Sequence, residues 1–467
     1  MSRRLIAGLI ALFLAATVAG FMPTQSAIGA PQLAATGYTP EKLYAVTAKP
    51  GPGVGQITIA WQHNSRHTTY FRIETALTPF SPTNTNLPKV GRNPKKFYLT
   101  SSKRSITLSA AQAAAAGAGA GTGYHLYYRL YAVNHSQQGY KTRGWGMETV
   151  LAKPVSPKSS GTVLRAASFN IRTARATSDA RSWLDRAPDV AHEILSRNPG
   201  VVAIQELSPG RADGGSGSTK GRIRQTDSLE SALRAQGGSR YQLVRTTAYI
   251  GPNVKQGTQG ARILYDSSRY GLKSACSDSS SGGNYSATCT IVMPLMVGDS
   301  EDLRRRATYA EFADLRTGKR FFMVSAHLDQ RHSANLSTER RLNVFRDAQV
   351  EAVVNRIASI NTAKRVVVFG GDINSWQSNQ GGNGGHDRLI RSGFYDSAAA
   401  LTRINLQYST VNHFDTTILP NHDGFGARFD VVMVKGVQGA KRFENVTRRV
   451  DSARPSDHNM VVADLVL

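Results

Sequence analysis

Residues 366–374 read Val-Val-Val-Phe-Gly-Gly-Asp-Ile-Asn, an apolar run that ends in an acid and an amide. The stretch from Val366 to Phe369 has the length and the β-branched composition of a buried strand. Asp372 and Asn374 follow where this strand should end. The pattern predicts a sheet that presents polar side chains at its strand ends.

Other apolar runs in the same part of the chain end in the same way. Strand candidates lie at 163–169, 201–205, 321–326 and 429–434, with helical patterns at 187–197 and 337–360 between them. The polar residues at or beside these strands are Asn170, Glu206, His327, Asp430, Asp457 and His458. A single carboxylate after a strand is usually a helix cap or a turn former. Four carboxylates, two carboxamides and two histidines at six such places predict one shared site in a mixed α/β domain.

The residue types at these strand ends also limit the metals that such a site would bind. Carboxylate and amide oxygens are hard ligands that suit Mg²⁺, or alternatively Mn²⁺ or Ca²⁺. The chain has only two cysteines, Cys276 and Cys289, which excludes a thiolate-built zinc site.

Six short motifs occur in a fixed order along this region, and together they resemble a known superfamily. They are Ser168-Phe-Asn170, Ile204-Gln-Glu206, Ser325-Ala-His-Leu328, Gly371-Asp-Ile-Asn374, Arg428-Phe-Asp430 and Ser456-Asp-His458. In this order they resemble the endonuclease/exonuclease/phosphatase superfamily, whose fold is deoxyribonuclease-I-like. The resemblance covers 163–467 and implies a four-layered α/β sandwich with two central mixed sheets and the site at one edge. Phe429 stands where such enzymes often carry Ile or Leu, and no acid is evident to pair with His327 as in some members.

The same resemblance implies roles for the matching residues. Glu206 would be the principal ligand of a divalent metal, with Asn170 and Asp457 completing or orienting its shell. Asp372 and Asn374 would position the attacking water or a second metal. The resemblance further implies that His458, held by Asp430, contacts the phosphate or moves a proton, and that His327 flanks the scissile phosphate.

The first thirty residues have the order of a secretory signal peptide. Arg3 and Arg4 precede an uncharged apolar run from Leu5 to Val18, and a small-residue stretch ends at Ala30. The alternative is an uncleaved membrane anchor, because the apolar run nearly reaches spanning length. Export would also suit a disulfide between Cys276 and Cys289. We therefore expect a secreted protein whose residues 1–30 are removed.

Between the leader and the α/β domain, residues 38–151 show the alternation of short strands. In Gln56–Trp61 the large apolar side chains, Ile57, Ile59 and Trp61, would share one face. Several such strands in about 110 residues predict an antiparallel sandwich. Trp61 and a late tyrosine-rich strand at 124–134 resemble a fibronectin type III module. Residues 152–162, rich in Pro, Ser and Lys, predict a linker.

Charge points to a polyanionic partner. The chain carries 57 lysines and arginines against 32 acids, a net charge of +25. A glycine-rich loop after Glu206 carries four cations that would contact a phosphate backbone: Arg211, Lys220, Arg222 and Arg224. The N-terminal module, with 14 basic residues and three acids in 31–157, would bind nucleic acid or an anionic cell-envelope polymer. Arg304–Arg306 is expected to be a solvated charge run, and His332 and His386 to be solvated loop histidines.

These observations predict a secreted, divalent-metal-dependent phosphodiesterase, most simply a nuclease acting on DNA or RNA. The alternative enzyme is a phospholipid or sphingomyelin phosphodiesterase, or a phosphatase, of the same superfamily, since one fold serves many substrates. The polar loops at 208–226 and 275–290 favour the nuclease over a membrane-cutting lipase. A different class, a non-catalytic envelope-binding protein, would be favoured by loss of site residues, and none of the expected residues is missing.

Overall fold

A computed structural model gives the fold of most of the chain. It describes residues 40, 43–52, 56–63, 67–76, 95–109, 111–112, 125–134, 141–149, 161–175, 181–245, 260–276, 280–281, 284–285, 288–376, 379, 381–400, 402–415, 417–418, 426–437, 439–447 and 453–467. The predicted leader at 1–30 and all but the last two residues of the predicted linker lie outside this set, so they stay predictions. Among the described helices, none has the length and apolar character that crossing a membrane requires.

The described residues of the N-terminal part form seven antiparallel strands in two sheets. The strands are β1 Tyr44–Pro50, β2 Ile57–Gln62, β3 Tyr70–Ala76, β4 Lys95–Thr100, β5 Ser105–Leu108, β6 His125–Val133 and β7 Lys141–Thr149. They form a three-stranded sheet in the order β1-β2-β5 and a four-stranded sheet in the order β4-β3-β6-β7. The alternation predicted for the first long strand is observed, because Ile57, Ile59 and Trp61 are all buried.

One hydrophobic core joins these two sheets. It contains Ile57 and Trp61 from β2 together with Phe71 and Ile73 from β3. The rings of Trp61 and Phe71 meet edge to face with their centroids 5.1 Å apart. Packing of two antiparallel sheets on one apolar core is the arrangement of a β-sandwich, whereas the resemblance to fibronectin type III stays a prediction.

The second part begins at Val163 and contains sixteen described strands and four described α-helices. The first eight strands are β8 Val163–Asn170, β9 Val201–Gln205, β10 Tyr241–Leu243, β11 Arg262–Asp266, β12 Tyr270–Leu272, β13 Ser280–Ser281, β14 Asn284–Tyr285 and β15 Thr290–Val292. The other eight are β16 Arg306–Asp314, β17 Arg320–His327, β18 Val366–Asp372, β19 Tyr395–Asp396, β20 Thr402–Ile404, β21 Asp430–Lys435, β22 Gly439–Asn445 and β23 Val461–Val466. The helices are α1 Trp183–Arg197, α2 Gln225–Ala235, α3 Leu336–Ile360 and α4 Gly384–Arg391.

Most of these strands form two mixed sheets. Sheet I has the order β10-β11-β9-β8-β23-β22-β20, and sheet II has the order β12-β16-β17-β18-β21-β19 with β15 paired to β16. Each sheet combines antiparallel and parallel pairs: β8 with β9 and β20 with β22 are parallel in sheet I, and β17 with β18 is parallel in sheet II. Two mixed sheets are what the sequence predicted.

Three hydrophobic cores stack the elements into four layers. The central core lies between the sheets and contains Ala203 of β9 and Met323 of β17. A second core packs α1 and α2 on the outer face of sheet I, and a third packs α3 and α4 on the outer face of sheet II. The resulting order of helices, sheet, sheet and helices agrees with the predicted α/β sandwich.

The helices begin where side chains cap them. Helix α1 begins at Trp183, four residues before the predicted start, because the hydroxyl of Ser182 accepts the backbone N–H of Asp185. Helix α3 begins at Leu336, where the side chain of Asn335 accepts two backbone N–H groups. Both positions agree with the preference of Ser and Asn for helix N-caps.

The two sheets approach most closely where β18 carries glycine. A Cβ atom at Gly370 would lie 2.5 Å from the Cβ of Ala203 in sheet I, so no larger residue fits here without a shift of the backbone. A Cβ atom at the adjacent Gly371 would lie 2.7 Å from the carbonyl oxygen of Ala326, in β17 of the same sheet. This close approach brings the end of β18 near the end of β8.

Two further expectations have outcomes in this part of the chain. The disulfide between Cys276 and Cys289 is present, with the Cα atoms 5.4 Å apart.

The expectation that His386 is solvated is wrong: it lies on α4, is 1% exposed, and places Nε2 2.9 Å from Asp396. The guanidinium of Arg428 also pairs with Asp396. The burial arises from the amphipathic packing of α4 on sheet II, which a polar loop sequence does not reveal.

Candidate active site

The strand ends of both sheets meet at one edge and bring together residues far apart in sequence. In sheet II, His327 at the end of β17 lies beside Asp372 at the end of β18, which lies beside Asp430 at the start of β21. In sheet I, Asn170 ends β8 and Glu206 follows the adjacent β9. The edge therefore holds five of the eight residues predicted to be catalytic or metal-binding.

Asn170 bridges the two sheets. Its side-chain N–H group donates to Oε1 of Glu206 and to Oδ2 of Asp372, both at 3.1 Å. The Asn170 side chain is fully buried, so these hydrogen bonds fix its orientation. A carboxylate from each sheet is thus held against the same amide group.

Glu206 is held in a left-handed backbone conformation, with φ of 58°, directly after β9. Such a φ is uncommon for a residue with a side chain and clusters at functional sites. The backbone N–H of Thr173 donates to Oε2 of Glu206 at 3.0 Å. Burial alone would raise the pKa of Glu206, but His327, Arg172 and the Thr173 N–H reverse this effect and lower the pKa below its ordinary value. Glu206 is therefore an anion at neutral pH.

His458 and Asp430 form a hydrogen-bonded pair. His458 Nδ1 lies 2.8 Å from Asp430 Oδ2, and Nε2 lies 3.8 Å from Asp372 Oδ2. Burial opposes the charged imidazole, but the two carboxylates outweigh it and hold the pKa of His458 well above its ordinary value. Burial, with repulsion from Asp430, raises the pKa of Asp372 to about 7 despite the attraction of His458. The three groups form a buried cluster in which the charge of each affects the titration of the others.

His327 completes this cluster from the other side. Its Nε2 lies 3.5 Å from Asp372 Oδ2, and within the described residues its buried Nδ1 has no hydrogen-bond partner. Burial first, and then the charges of Arg305 and His458, lower the pKa of His327 well below its ordinary value. This imidazole is neutral at pH 7. The acid that pairs with it in some members of the superfamily is not found among the described residues.

Asn374 and Asp457 lie beside the cluster rather than inside it. The Asn374 side chain donates to the carbonyl of Leu328 at 2.9 Å, and its backbone N–H donates to Asp372 Oδ1 at 2.9 Å. Asp457 pairs with Arg172, with 3.3 Å between its Oδ2 and the guanidinium Nη1. Asn374 thus holds the Asp372 carboxylate, and Asp457 holds a cation close to Glu206.

Arg305 is a site residue that the sequence did not single out. It was expected to belong to a solvated charge run, and this expectation is wrong, because Arg305 and Arg306 are only 8% and 7% exposed. Thr308 of β16 lies opposite Ser325 of β17, and this antiparallel register carries Arg305 to the His327 end of β17. Its guanidinium donates to Gln330 and acts electrostatically on Glu206, Asp372 and His327. Arg305 directly precedes β16, a strand that the sequence analysis did not predict.

The four cations of the 208–226 loop are not joined to this cluster by any hydrogen bond or ion pair that we identify in the described structure. Arg211 pairs with Asp213 through Nε and Oδ1 at 2.8 Å, and Lys220 and Arg222 are exposed. The base of the loop is nevertheless anchored beside the site, because Gln225 accepts the backbone N–H of Ser208 and donates to the carbonyl of Arg172. Binding of substrate by Arg211, Lys220, Arg222 and Arg224 stays a prediction.

The donor atoms at this edge fit a hard divalent cation. Glu206, Asn170 and Asp457 offer carboxylate and amide oxygens, the ligands that Mg²⁺ and Ca²⁺ prefer. A second group, Asp372, Asp430 and His458, has ligand atoms within 4.8 Å of one another. Two of those atoms, His458 Nδ1 and Asp430 Oδ2, already share a hydrogen bond that a cation would replace. The first group is engaged as well, because Asn170 Oδ1 accepts the backbone N–H of Arg172 and Asp457 pairs with Arg172. The choice of Glu206, Asn170 and Asp457 as the metal ligands therefore stays a prediction.

Replacing Arg305 by methionine should raise the pKa of His327. The guanidinium charge is one of the causes that disfavour the imidazolium, so its removal favours protonation. The measurement is an NMR titration of the imidazole in metal-free protein. Arg304→Met is the matched control, because Arg304 pairs with Glu301 away from the cluster. An unchanged pKa in the Arg305 variant would show that Arg305 is not one of the causes that lower it.

Several solved structures are similar to this chain. An endonuclease/exonuclease/phosphatase family protein from Bacteroides thetaiotaomicron has 18% sequence identity and a TM-score of 0.48, and the match covers 66% of this chain and 99% of that one. A second protein of that name, from Bacteroides vulgatus, has 21% identity and a TM-score of 0.47 over 66% and 99%. A mannosyl-6-phosphatase from Bacteroides thetaiotaomicron has 19% identity and a TM-score of 0.45 over 65% and 100%.

These comparisons bear on the predicted resemblance only in part. No family model matches the chain, and no curated protein matches it. Two of the similar structures carry the name of the superfamily that the six motifs resemble. At these identities and TM-scores the likeness assigns no activity, so the function has to be inferred from the site itself.

Proposed function

We propose that this chain is a secreted, divalent-metal-dependent phosphodiesterase that hydrolyses nucleic acid. The observation that carries the proposal is the hydrogen-bonded His458–Asp430 pair, which stands next to a neutral His327 and an Asn170 that links Glu206 to Asp372. One edge thus combines a cationic imidazole, a neutral imidazole and an ionised metal ligand. Hydrolysis of a phosphodiester requires an activated water, a source of protons and positive charge to meet the developing negative charge.

The chain's own residues supply most of these requirements. His458, kept cationic by Asp430, would contact the phosphate and give a proton to the leaving oxygen. Asp372, held by Asn170 and by the backbone of Asn374, would orient the attacking water. His327 would flank the phosphate as a neutral hydrogen-bonding group, and Arg305 would stabilise negative charge on its oxygens.

Glu206 would hold the metal, with Asn170 and Asp457 completing or orienting its shell. A bound Mg²⁺, Mn²⁺ or Ca²⁺ would supply Lewis acidity at a phosphate oxygen. The lowered pKa of Glu206 supports this assignment, because a carboxyl group must be ionised to bind a hard cation.

Nucleic acid is the proposed substrate because of charge. The net charge of +25 favours a polyanion, and the partly exposed Arg172 and the buried Arg305 place guanidinium groups beside the site carboxylates. Arginine guanidinium groups pair well with phosphate oxygens. Secretion is supported by the sequence of residues 1–30 and by the disulfide, since disulfides persist in oxidising compartments.

One panel of substrates tests the proposal. Circular DNA, RNA and sphingomyelin liposomes are each incubated with the protein in Mg²⁺ and in chelator, with His458→Ala as the control that disables the site. We expect nicked circles or cleaved RNA only with Mg²⁺ and only with the unmodified protein. Release of phosphocholine with intact nucleic acid would replace the proposed substrate by a phospholipid.

A further inference from the structure

Three rings form a cluster beside the site that none of the steps above uses. The rings of Trp376 and Phe429 have centroids 4.8 Å apart and planes inclined by 32°. The imidazole of His332 meets Trp376 edge-on at 5.4 Å and lies 6.4 Å from Phe429. Trp376 and Phe429 are half-buried and His332 is exposed, so the cluster reaches the surface. We call these three residues the aromatic platform.

The aromatic platform is attached to the segments that carry the catalytic groups. Trp376 follows Asn374 by two residues, and Phe429 directly precedes Asp430. The backbone N–H of Ile373 donates to the carbonyl of Phe429 at 2.8 Å and ties the two segments together. The two ring-bearing segments are therefore fixed to the backbone that positions Asp372 and Asp430.

A buried polar network holds the platform in place. Glu339, which is 5% exposed, accepts from the Asn379 side chain and from the backbone N–H of Ser333, both at 2.8 Å, and lies 3.2 Å from His332 Nδ1. Asn343 accepts the hydroxyl of Ser375, the residue before Trp376, at 2.9 Å. Rings that buried polar groups hold in one orientation can bind a flat ligand with little further loss of side-chain freedom.

Phe429 is held independently, from the other side of the cluster. The hydroxyl of Thr410 accepts the backbone N–H groups of Phe429 and Asp430, at 3.0 and 3.1 Å. The ring of Phe429 and the carboxylate of Asp430 are therefore positioned by the same hydroxyl group.

Core packing does not account for these rings. Neither Trp376 nor Phe429 belongs to any of the four hydrophobic cores that the described residues form. A large aromatic pair at the surface, beside a site for a charged group, is typical of binding rather than of folding.

We propose that the aromatic platform stacks a base of the nucleic-acid strand next to the scissile phosphate, an inference that rests on the proposed function. Every nucleobase offers a π-face, so such stacking tolerates any sequence but requires a base that is free of its neighbours. The site would then prefer single-stranded or locally opened nucleic acid over a fully paired duplex. Sphingomyelin and sugar phosphates carry no aromatic ring and would gain nothing from the platform.

Two single-stranded oligonucleotides separate stacking from phosphate binding. They have one length and one charge, but the second carries abasic sugars at the central positions in place of bases. For Trp376→Ala we expect KM on the base-bearing strand to rise roughly 5- to 100-fold with kcat nearly unchanged, as for loss of one stacked base. We expect KM on the abasic strand to stay the same.

Two control variants make the result specific. Trp376→Phe keeps a π-face and should restore most of the lost affinity, which a merely structural role would not explain. Leu315→Ala removes a large apolar side chain that is 56% exposed in the turn between β16 and β17, at the opposite end of β17 from His327, and it should change neither KM. Equal losses on both strands, or no loss on either, would overturn the proposal while leaving the proposed function intact. A wild-type protein that cleaves neither strand would overturn the proposed function and the platform's role with it.

Discussion

Glu206→Gln should lose nearly all activity while the fold stays intact. The substitution keeps the size of the side chain and removes the negative charge that a hard cation requires. Loss of a residue that only supports a ligand typically costs 10- to 100-fold in metal affinity or activity, so loss of a ligand should cost more than about 100-fold in kcat/KM. The measurement is cleavage of circular DNA at increasing Mg²⁺ concentration, with melting temperature measured in chelator.

Two controls separate loss of the metal ligand from damage to the fold. Glutamine keeps one oxygen that can accept either the Asn170 amide or the Thr173 N–H, so the melting temperature in chelator should change little. Glu351→Gln makes the same chemical change on the outer helix α3, where Glu351 pairs with Arg388, and it should leave activity unchanged. Near-normal turnover by Glu206→Gln at every Mg²⁺ concentration would remove Glu206 from the site.

The sequence predicted most of the fold because its strands are fully apolar and end in turn signals. Val201–Gln205 was predicted with the bounds that the structure shows, and Val366–Asp372 differs only in extending through Gly-Gly-Asp. Two buried sheets require such continuous apolar strands, which are easier to recognise than half-exposed ones. The start of α1 was predicted four residues late, and the helix continues through Pro188, its sixth residue, although proline is best tolerated in the first turn.

The site was partly predictable for a different reason. Residues at the ends of neighbouring strands must meet at one sheet edge, so the strand pattern alone was enough to group Asn170, His327 and Asp372. Arg305 could not be added to them, because its burial depends on the register of β16 with β17, which pairs residues that are not close in sequence. The aromatic platform was missed for the same reason: His332, Trp376 and Phe429 come from three separate segments.

The electrostatic behaviour of the site could not be read from sequence at all. From residue type alone, His327 and His458 would have the same pKa, and each imidazole would be half-charged near pH 6.5. In the structure the pKa of His327 falls because it is buried beside Arg305 and His458, and that of His458 rises because it faces Asp430 and Asp372. Two histidines of one site thus take opposite protonation states, which allows each a different role.

His458 and Asp430 are expected to act as one catalytic unit. His458→Ala and Asp430→Ala should each lower kcat/KM by about 10²- to 10⁴-fold, the usual contribution of a positioned proton donor. Because Asp430 Oδ2 holds His458 Nδ1 at 2.8 Å, the double variant should lose little more than either single variant. Asp430→Asn should also lower the pKa of His458, measured by NMR, because the neighbouring charge that favours the imidazolium is gone. Losses that multiply in the double variant, together with an unchanged pKa, would mean that the two residues act separately.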